Sequence, residues 1–225
     1  MQPELSVILP TKDEEAVFET IGELRKLFGE DAEIIVVDKS NPEFHNKLKK
    51  TKVKLFLQRD NGVENAMIFG VKQSHGAVVV SLDADGTHDI SGILKGMDLI
   101  KHGKAGLVIG NRMDGIQPGA MSAYLKLGNL MVSAIYNIML RQHVHDVLSG
   151  LLIMDRKAVD KVKDIRTFEM PILFFQIEIA KAGFRVVEVP IKYYKRKYGE
   201  SKLSRFKIVY GFKAAHRIIS RAFAQ

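Results

Sequence analysis

Ala77-Val78-Val79-Val80-Ser81-Leu82-Asp83-Ala84-Asp85 is an uncharged run that ends in two carboxylates one residue apart. Three consecutive β-branched valines favour an extended strand, and a run without polar alternation is buried on both faces. The same signature recurs in both directions along the chain. Upstream lie Leu5–Pro10, Glu33–Asp38 and Val53–Leu57; downstream lie Ala105–Gly110, Leu148–Met154 and Arg185–Pro190. Between these runs the apolar spacing becomes helical. Val17, Ile21, Leu24, Leu27 and Phe28 mark one helix, and 65–74, 90–100, 121–140 and 171–182 mark others. Strand and helix in alternation predict an α/β fold: a mainly parallel, Rossmann-like sheet with helices on both faces. Such sheets bind ligands at the carboxyl ends of their strands. Asp38 and the Asp83/Asp85 pair both sit at such ends.

Two carboxylates just past a strand suit a divalent cation, because Mg²⁺ and Mn²⁺ prefer carboxylate and phosphate oxygens. Asp83 and Asp85 are therefore expected to bind metal, with Thr87 or His88 as a further ligand. His143-Val144-His145-Asp146 reads either as a second metal cluster or as a polar helix end. Other chemistries are excluded by what is missing. The chain has no cysteine, so disulfide scaffolds, iron–sulfur clusters and cysteine nucleophiles are ruled out. It has no G-x-G-x-x-G, no G-x-x-x-x-G-K-[ST], no G-x-S-x-G and no H-E-x-x-H. Those absences argue against dinucleotide oxidoreductases, P-loop enzymes, α/β-hydrolases and zincins.

Charge is segregated. The net charge is +8, yet from Lys192 onward ten Lys/Arg stand against the single acid Glu200. Leu203, Phe206, Ile208, Val209, Phe212, Ile218, Ile219 and Phe223 are interleaved there with Arg205, Lys207, Lys213, Arg217 and Arg221. This reads as a basic amphipathic helix, the pattern of a segment lying on a membrane surface. We therefore expect one domain over residues 1–202 and a membrane-proximal helix over 203–225. The 121–140 helix has Lys126 as its only charge, and at ~20 residues it is near the length of a bilayer span. Ser122, Asn129, Ser133 and Asn137 recur through it, so core packing and a membrane-lying face are the main alternatives to a span. The opening Met1–Glu4 shows no signal-peptide pattern. The expected location is cytoplasmic and peripheral to the membrane.

The order of motifs resembles the family 2 GT-A inverting glycosyltransferases. Within them it is most similar to the dolichyl- or polyprenyl-phosphate sugar synthases of the dolichol-phosphate mannose synthase type. Ser6–Glu14 resembles the opening strand and P-T-x-N-E loop, and Ile34–Ser40 the V-D-D-x-S strand end. Arg59–Gly70 resembles a segment usually rich in glycine, and Asp83-Ala84-Asp85 the D-x-D. Gly110-Asn111-Arg112 resembles G-S-R, and Asp146–Gly150 resembles D-x-x-S-G. Glu188-Val189-Pro190-Ile191 with Arg196 and Gly199–Lys202 resembles E-V-P-I…R…G-x-S-K. Three positions depart from the pattern: Asp13 stands for Asn, Lys39 for the second Asp of V-D-D, and Glu64 for a frequent Gly.

The resemblance implies GDP-mannose as first donor, then UDP-glucose or a UDP-N-acetylhexosamine, with Mg²⁺ or Mn²⁺. It implies a nucleoside pocket lined by Pro10, Lys12, Glu14, Asp38 and Arg59, and a diphosphate and metal at Asp83 and Asp85. The implied acceptor is dolichyl or polyprenyl phosphate. A phosphate has its second pKa near ~6 and is already anionic at pH 7, so no dedicated base is expected. Cations that hold the acceptor are expected instead: Arg112, Lys126, Arg196 and Lys202. Asp146 is expected to orient one of them, or to act as base if the acceptor is a hydroxyl. A nucleotidyltransferase is the competing enzyme reading, but Pro10–Glu14 lacks the glycine-rich loop it would need. Nucleic acid is not an expected partner, because the strand-end acids would repel its phosphates.

Overall fold

A computed structural model describes residues 3–59, 62–162 and 171–198, together with 215–216 and 218–220. Its centre is a seven-stranded sheet in the order β3-β2-β1-β4-β6-β5-β7. The strands are β1 (Leu5–Thr11), β2 (Glu33–Asp38), β3 (Lys54–Leu57), β4 (Val78–Ser81), β5 (Leu107–Asn111), β6 (Leu152–Asp155) and β7 (Val186–Pro190). Neighbours β3-β2, β2-β1, β1-β4 and β5-β7 are parallel; β6 alone runs antiparallel to its two neighbours, β4 and β5. The carboxyl ends of six strands and the amino end of β6 therefore share one edge.

The apolar runs alternate between two cores. Ile34 and Val36 of β2 face one, and Ile35 and Val37 face the other, all nearly solvent-free. Helices α1 (Ala16–Phe28), α2 (Pro42–Leu48) and α4 (Gly92–Lys101) cover the first face. Helices α3 (Val63–Gln73), α5 (Ala123–Leu140), α6 (Arg156–Val159) and α7 (Pro171–Lys181) cover the second. Helix α4 lies close on the sheet because Gly96 has no side chain; a Cβ there would stand 2.5 Å from Ile153 Cδ1.

Three elements differ from the sequence reading, one of them the single-turn helix α6, which was not expected. Helix α2 was not expected. It is short, and its signal is only the Asn41-Pro42 start, where the Asn41 side chain accepts from Phe44 N at 3.0 Å. The strand expected over 148–154 begins only at Leu152. Val147 and Leu151 are fully buried outside the strand, although the Leu151 carbonyl accepts from Gly110 N of β5 at 3.0 Å, so burial there imitates a strand. The boundary at 202/203, Lys202 and most of the basic helix lie outside the described residues. Within that segment Ile218 is helical and fully buried as a member of the second core.

Candidate active site

The shared edge collects the acidic motif. After β4 the chain turns at Gly86, whose φ of 67° is in the left-handed region. Asp85 Oδ1 accepts from Thr87 N at 3.2 Å and from Thr87 Oγ1 at 2.7 Å. His88 Nδ1 lies 3.1 Å from the same hydroxyl, and the ring meets Tyr193 edge-on. Burial holds His88 near pKa 4, hence neutral at pH 7. Thr87, expected as a ligand, thus orients the Asp85 carboxylate with its hydroxyl. Asp83 sits against Gly150, where any Cβ would overlap its carboxylate. Burial and the charge of Asp85 push Asp83 up to about 6, against the opposing pull of Arg112 and Arg196. Among the described residues no hydrogen-bond donor reaches the Asp83 carboxylate.

A half-buried carboxylate with no hydrogen-bond donor on it, beside a second one and on a floor cleared by glycine, fits a divalent cation. Among the described residues no cluster of three or more Asp, Glu or His could hold a metal. Protein ligation would therefore stop at two carboxylates, as is usual for Mg²⁺ completed by water and phosphate oxygens.

The expected acceptor-side cations are brought to the same edge. Arg112 follows β5 and forms a two-bond pair with Asp146: Nε to Oδ2 and Nη2 to Oδ1, both 2.7 Å. Its backbone N adds a 2.8 Å bond to Oδ2. Burial works against the Arg112 charge, Asp146 outweighs it, and the net shift is upward. The guanidinium also lies 5.1 Å from the centre of the Tyr193 ring. Arg196 Nη2 reaches Glu14 Oε2 at 2.8 Å and Asp85 Oδ2 at 3.2 Å. The segment carrying it is laced down by Tyr193 N to Gly115 O, Tyr194 N to Thr87 O and Lys195 N to Gln117 Oε1. Lys126 leans from α5 onto the Met113 carbonyl at 3.3 Å, next to Arg112.

The nucleoside-side residues occupy the ends of β1, β2 and β3. Asp38 is fully buried, and both its oxygens are engaged within the chain. Oδ1 accepts from Ser40 N at 3.0 Å and Oγ at 2.5 Å, while Oδ2 meets His45 Nδ1 at 2.7 Å. Asp38 therefore organises its loop instead of offering a free carboxylate. Asp13 has φ 47° and accepts at Oδ1 from both Asn41 N and Asn41 Nδ2 at 3.0 Å. Asp tolerates this conformation as Asn does, so the departure from the motif keeps the local geometry. Lys39 Nζ reaches the Arg59 carbonyl at 3.4 Å. Pro10 is half-buried, and Lys12 and Arg59 are exposed. The His143–Asp146 stretch is no metal cluster: His145 pairs with Glu188 and Asp146 with Arg112.

The sequence reading missed His45, Gly150 as the floor under Asp83, and Glu188 as a site residue. Glu188 had a signal: one acid inside Val186–Pro190, an otherwise apolar strand. A cavity of about 850 Å³ opens at the opposite, amino edge of the sheet, between Arg25, Glu33, His75 and Arg156. None of the acidic-motif residues lines it.

Residues 6–163 match the family model described as Glycosyl transferase family 2. The chain belongs to that family. Among curated relatives, it is 28% identical over 213 residues to the low-salt glycan biosynthesis hexosyltransferase of Haloferax volcanii. That match covers 91% of this chain and 51% of the relative, so the chain spans about half of that protein. The dolichyl-phosphate hexose transferase of the same organism is 28% identical over 208 residues, covering 90% of this chain and 88% of that one. The dolichol-phosphate mannosyltransferase of Pyrococcus furiosus is 32% identical over 213 residues, covering 88% and 59%. A solved glucosyl-3-phosphoglycerate synthase from Mycobacterium tuberculosis, in complex with Mn²⁺, UDP and phosphoglyceric acid, superposes with a TM-score of 0.69. It shares 16% identity and covers 99% of this chain and 80% of that one, a likeness of fold. The family 2 glycosyltransferase thus has the GT-A architecture expected from its motifs.

Proposed function

We propose that this glycosyltransferase moves a sugar, mannose first, from a nucleotide diphosphate donor to dolichyl or polyprenyl phosphate, inverting the anomeric carbon. It acts as a peripheral protein at the cytoplasmic face of a membrane. One observation carries the choice of acceptor. Among the described residues, the carboxylates beside Arg112 on the acceptor side are already paired: Asp146 with Arg112 and Glu188 with His145. Neither of these two is free to deprotonate an alcohol, and a phosphate needs no base. The relatives named for dolichyl-phosphate hexose and dolichol-phosphate mannose transfer support the same acceptor class.

The acceptor phosphate oxygen attacks the sugar C1 as the C1–O bond to the diphosphate breaks, and the nucleoside diphosphate departs with the bonding electrons. Arg112, with Lys126 beside it, holds the acceptor phosphate; Lys202 is assigned to the same task by its motif. Arg196, now on Glu14 and Asp85, stands where it can hold a phosphate from the donor side. Pro10, Lys12, Glu14 and Arg59 line the nucleoside pocket, and Asp38 braces its loop. Asp83 and Asp85 would hold Mg²⁺ or Mn²⁺, which would supply positive charge for the diphosphate.

Helix α5 offers a route to the membrane. Tyr124, Leu127, Met131 and Ile138 follow one another at helical spacing and are between 54% and 72% exposed. No acid lies between Gly115 and His145, while Lys126 and Arg141 are exposed there. Among the described residues no helix is long and apolar enough to cross a membrane. An apolar stripe with basic neighbours suits the surface of an anionic bilayer.

The test is calorimetric binding of GDP-mannose, UDP-glucose and UDP-N-acetylglucosamine, with and without Mn²⁺, to wild type and Asp85→Ala. Transfer to polyprenyl phosphate is then compared with transfer to polyprenol. Metal-dependent binding of GDP-mannose, lost in Asp85→Ala, with transfer only to the phosphate, is the expected result. Binding of a UDP-sugar alone would replace the donor. Transfer to polyprenol would replace the acceptor and the base-free mechanism with it.

A further inference from the structure

We infer that Glu188 is a positioning residue for Arg112, which it fixes by bracketing the Arg112–Asp146 pair from both ends. The functional consequence rests on the reading that Arg112 faces the acceptor phosphate. Glu188 lies on β7 beside Ile109 of β5, and its side chain is 11% exposed. Its Oε1 accepts from the backbone N of both His145 and Asp146 at 2.8 Å. Its Oε2 accepts from Asn111 Nδ2 at 3.2 Å and pairs with His145 Nδ1 at 2.9 Å.

These four contacts join the two halves of the ion pair. Asn111 immediately precedes Arg112, and its Oδ1 in turn accepts from Met113 N at 2.8 Å. Asp146 supplies the carboxylate that grips Arg112. The peptide between His145 and Asp146 is also held from the other side: Asn129 Nδ2 and Ser133 Oγ of α5 donate to the His145 carbonyl at 3.0 and 3.1 Å. One carboxylate thus ties β5, β7 and the loop before β6 into a single frame around the guanidinium.

The physical consequence is orientation. A two-bond Arg–carboxylate pair tolerates little rotation, so a loop shift breaks one of its bonds. An apolar side chain at 188 would strip the acceptor from two backbone N–H groups and the Asn111 amide at a part-buried junction. The loop would move to rehydrate them, and Asp146 would move with it. With Nε and Nη2 committed to Asp146, the Nη1 edge is the one presented to an incoming anion.

The experiment compares Glu188→Leu, Glu188→Asp and Glu188→Gln with wild type in the full chain. The first readout is the ¹⁵N resonance of Arg112 Nε–H, assigned by its disappearance in Arg112→Lys, and its exchange with water. The second is the KM for polyprenyl phosphate set against the KM for the sugar nucleotide. Glu188→Leu is expected to lose the slowly exchanging Nε–H. Misplacement of about 1 Å costs up to ~10²-fold, so its acceptor KM should rise about ten- to a hundred-fold while the donor KM stays within about two-fold. Gln keeps an oxygen for the two backbone N–H groups and should stay within about three-fold of wild type. Asp is one methylene too short and should behave as Leu does, which keeps the test open if Leu fails to fold. A slow Nε–H retained in Leu or Asp would overturn the proposal, as would donor and acceptor KM rising together. If the Nε–H is lost while the acceptor KM is unchanged, Glu188 still positions Arg112, and the acceptor role of Arg112 is what fails.

Discussion

Gly150 and Glu33 show at single positions how the two ends of the sheet divide function and stability. At the catalytic edge, a methyl on Gly150 would overlap the Asp83 carboxylate. Gly150→Ala is expected to swing Asp83 out of line and weaken Mn²⁺-dependent donor binding by about ten-fold or more, about 1.4 kcal/mol. Calorimetry on the purified variant checks this, and unchanged affinity would remove Asp83 from the metal site. At the opposite edge, Glu33 accepts from Lys54 Nζ at 2.5 Å, from Ser6 Oγ, and from His75 N at 2.8 Å. Burial alone would raise its pKa, but these bonds outweigh burial and hold it at about 2. A depressed carboxylate stabilises the fold fully above its unfolded value near 4.5, and that stability is lost as pH falls toward 2. Glu33→Gln should lower stability at pH 7 by up to about 3 kcal/mol. It should also flatten the acid limb between about pH 4.5 and 2, with donor binding unchanged. Urea titrations across pH read both effects.

Helix α5 serves two neighbours with two faces. Its inner face packs Val132 and Tyr136 into the core and hydrogen-bonds the His145 carbonyl through Asn129 and Ser133. Its outer face is the apolar stripe. Of the polar residues that recur through the sequence segment, Asn129, Ser133 and Asn137 bond the 144–148 loop and brace it, while exposed Ser122 caps the helix start at Leu125 N. Met131→Asp combined with Ile138→Asp places charges at two exposed positions, where substitutions change stability by only about 0.5 kcal/mol. The variant should keep its thermal midpoint and lose about ten-fold or more of its binding to vesicles containing anionic lipid, since charge is costly at an apolar interface. Sedimentation with vesicles measures it; wild-type-like binding would take the membrane off α5.

Across the whole molecule the site is a property of the sheet edge. Residues from β1 to β7 and their loops meet there although Glu14 and Arg196 are far apart in sequence. A ligand that bridges them binds only the folded chain and stabilises it by about 2.7 kcal/mol at a hundred-fold excess over Kd. For a chain of this size that is roughly 5–10 °C in Tm. The rise is expected with donor and Mn²⁺ together, not with either alone, and not in Asp83→Asn. A rise with donor alone would make the nucleotide pocket independent of the carboxylates.

The sequence by itself determined the layer architecture and the sheet edge on which the candidate site lies. Continuous apolar runs have to be buried on both faces, and strand ends in a parallel sheet converge on one edge, so both follow from local patterning. It also determined the acidic motif, because Asp83-Ala84-Asp85 closes the run of β4. Only the tertiary structure decided which groups are paired. The reversal of β6, which brings Gly150 under Asp83 and Asp146 onto Arg112, leaves no mark in strand periodicity, since parallel and antiparallel burial look alike in sequence. The pairing of Glu188 with four partner atoms, of Asp38 with His45, and of Arg196 with Glu14 and Asp85 depends on distances between chain segments that no local pattern encodes. Hydrogen-bond partnership is a matter of a few tenths of an ångström. The closed sheet sets it, and it determines which of the site's charges are already paired and which remain for a ligand.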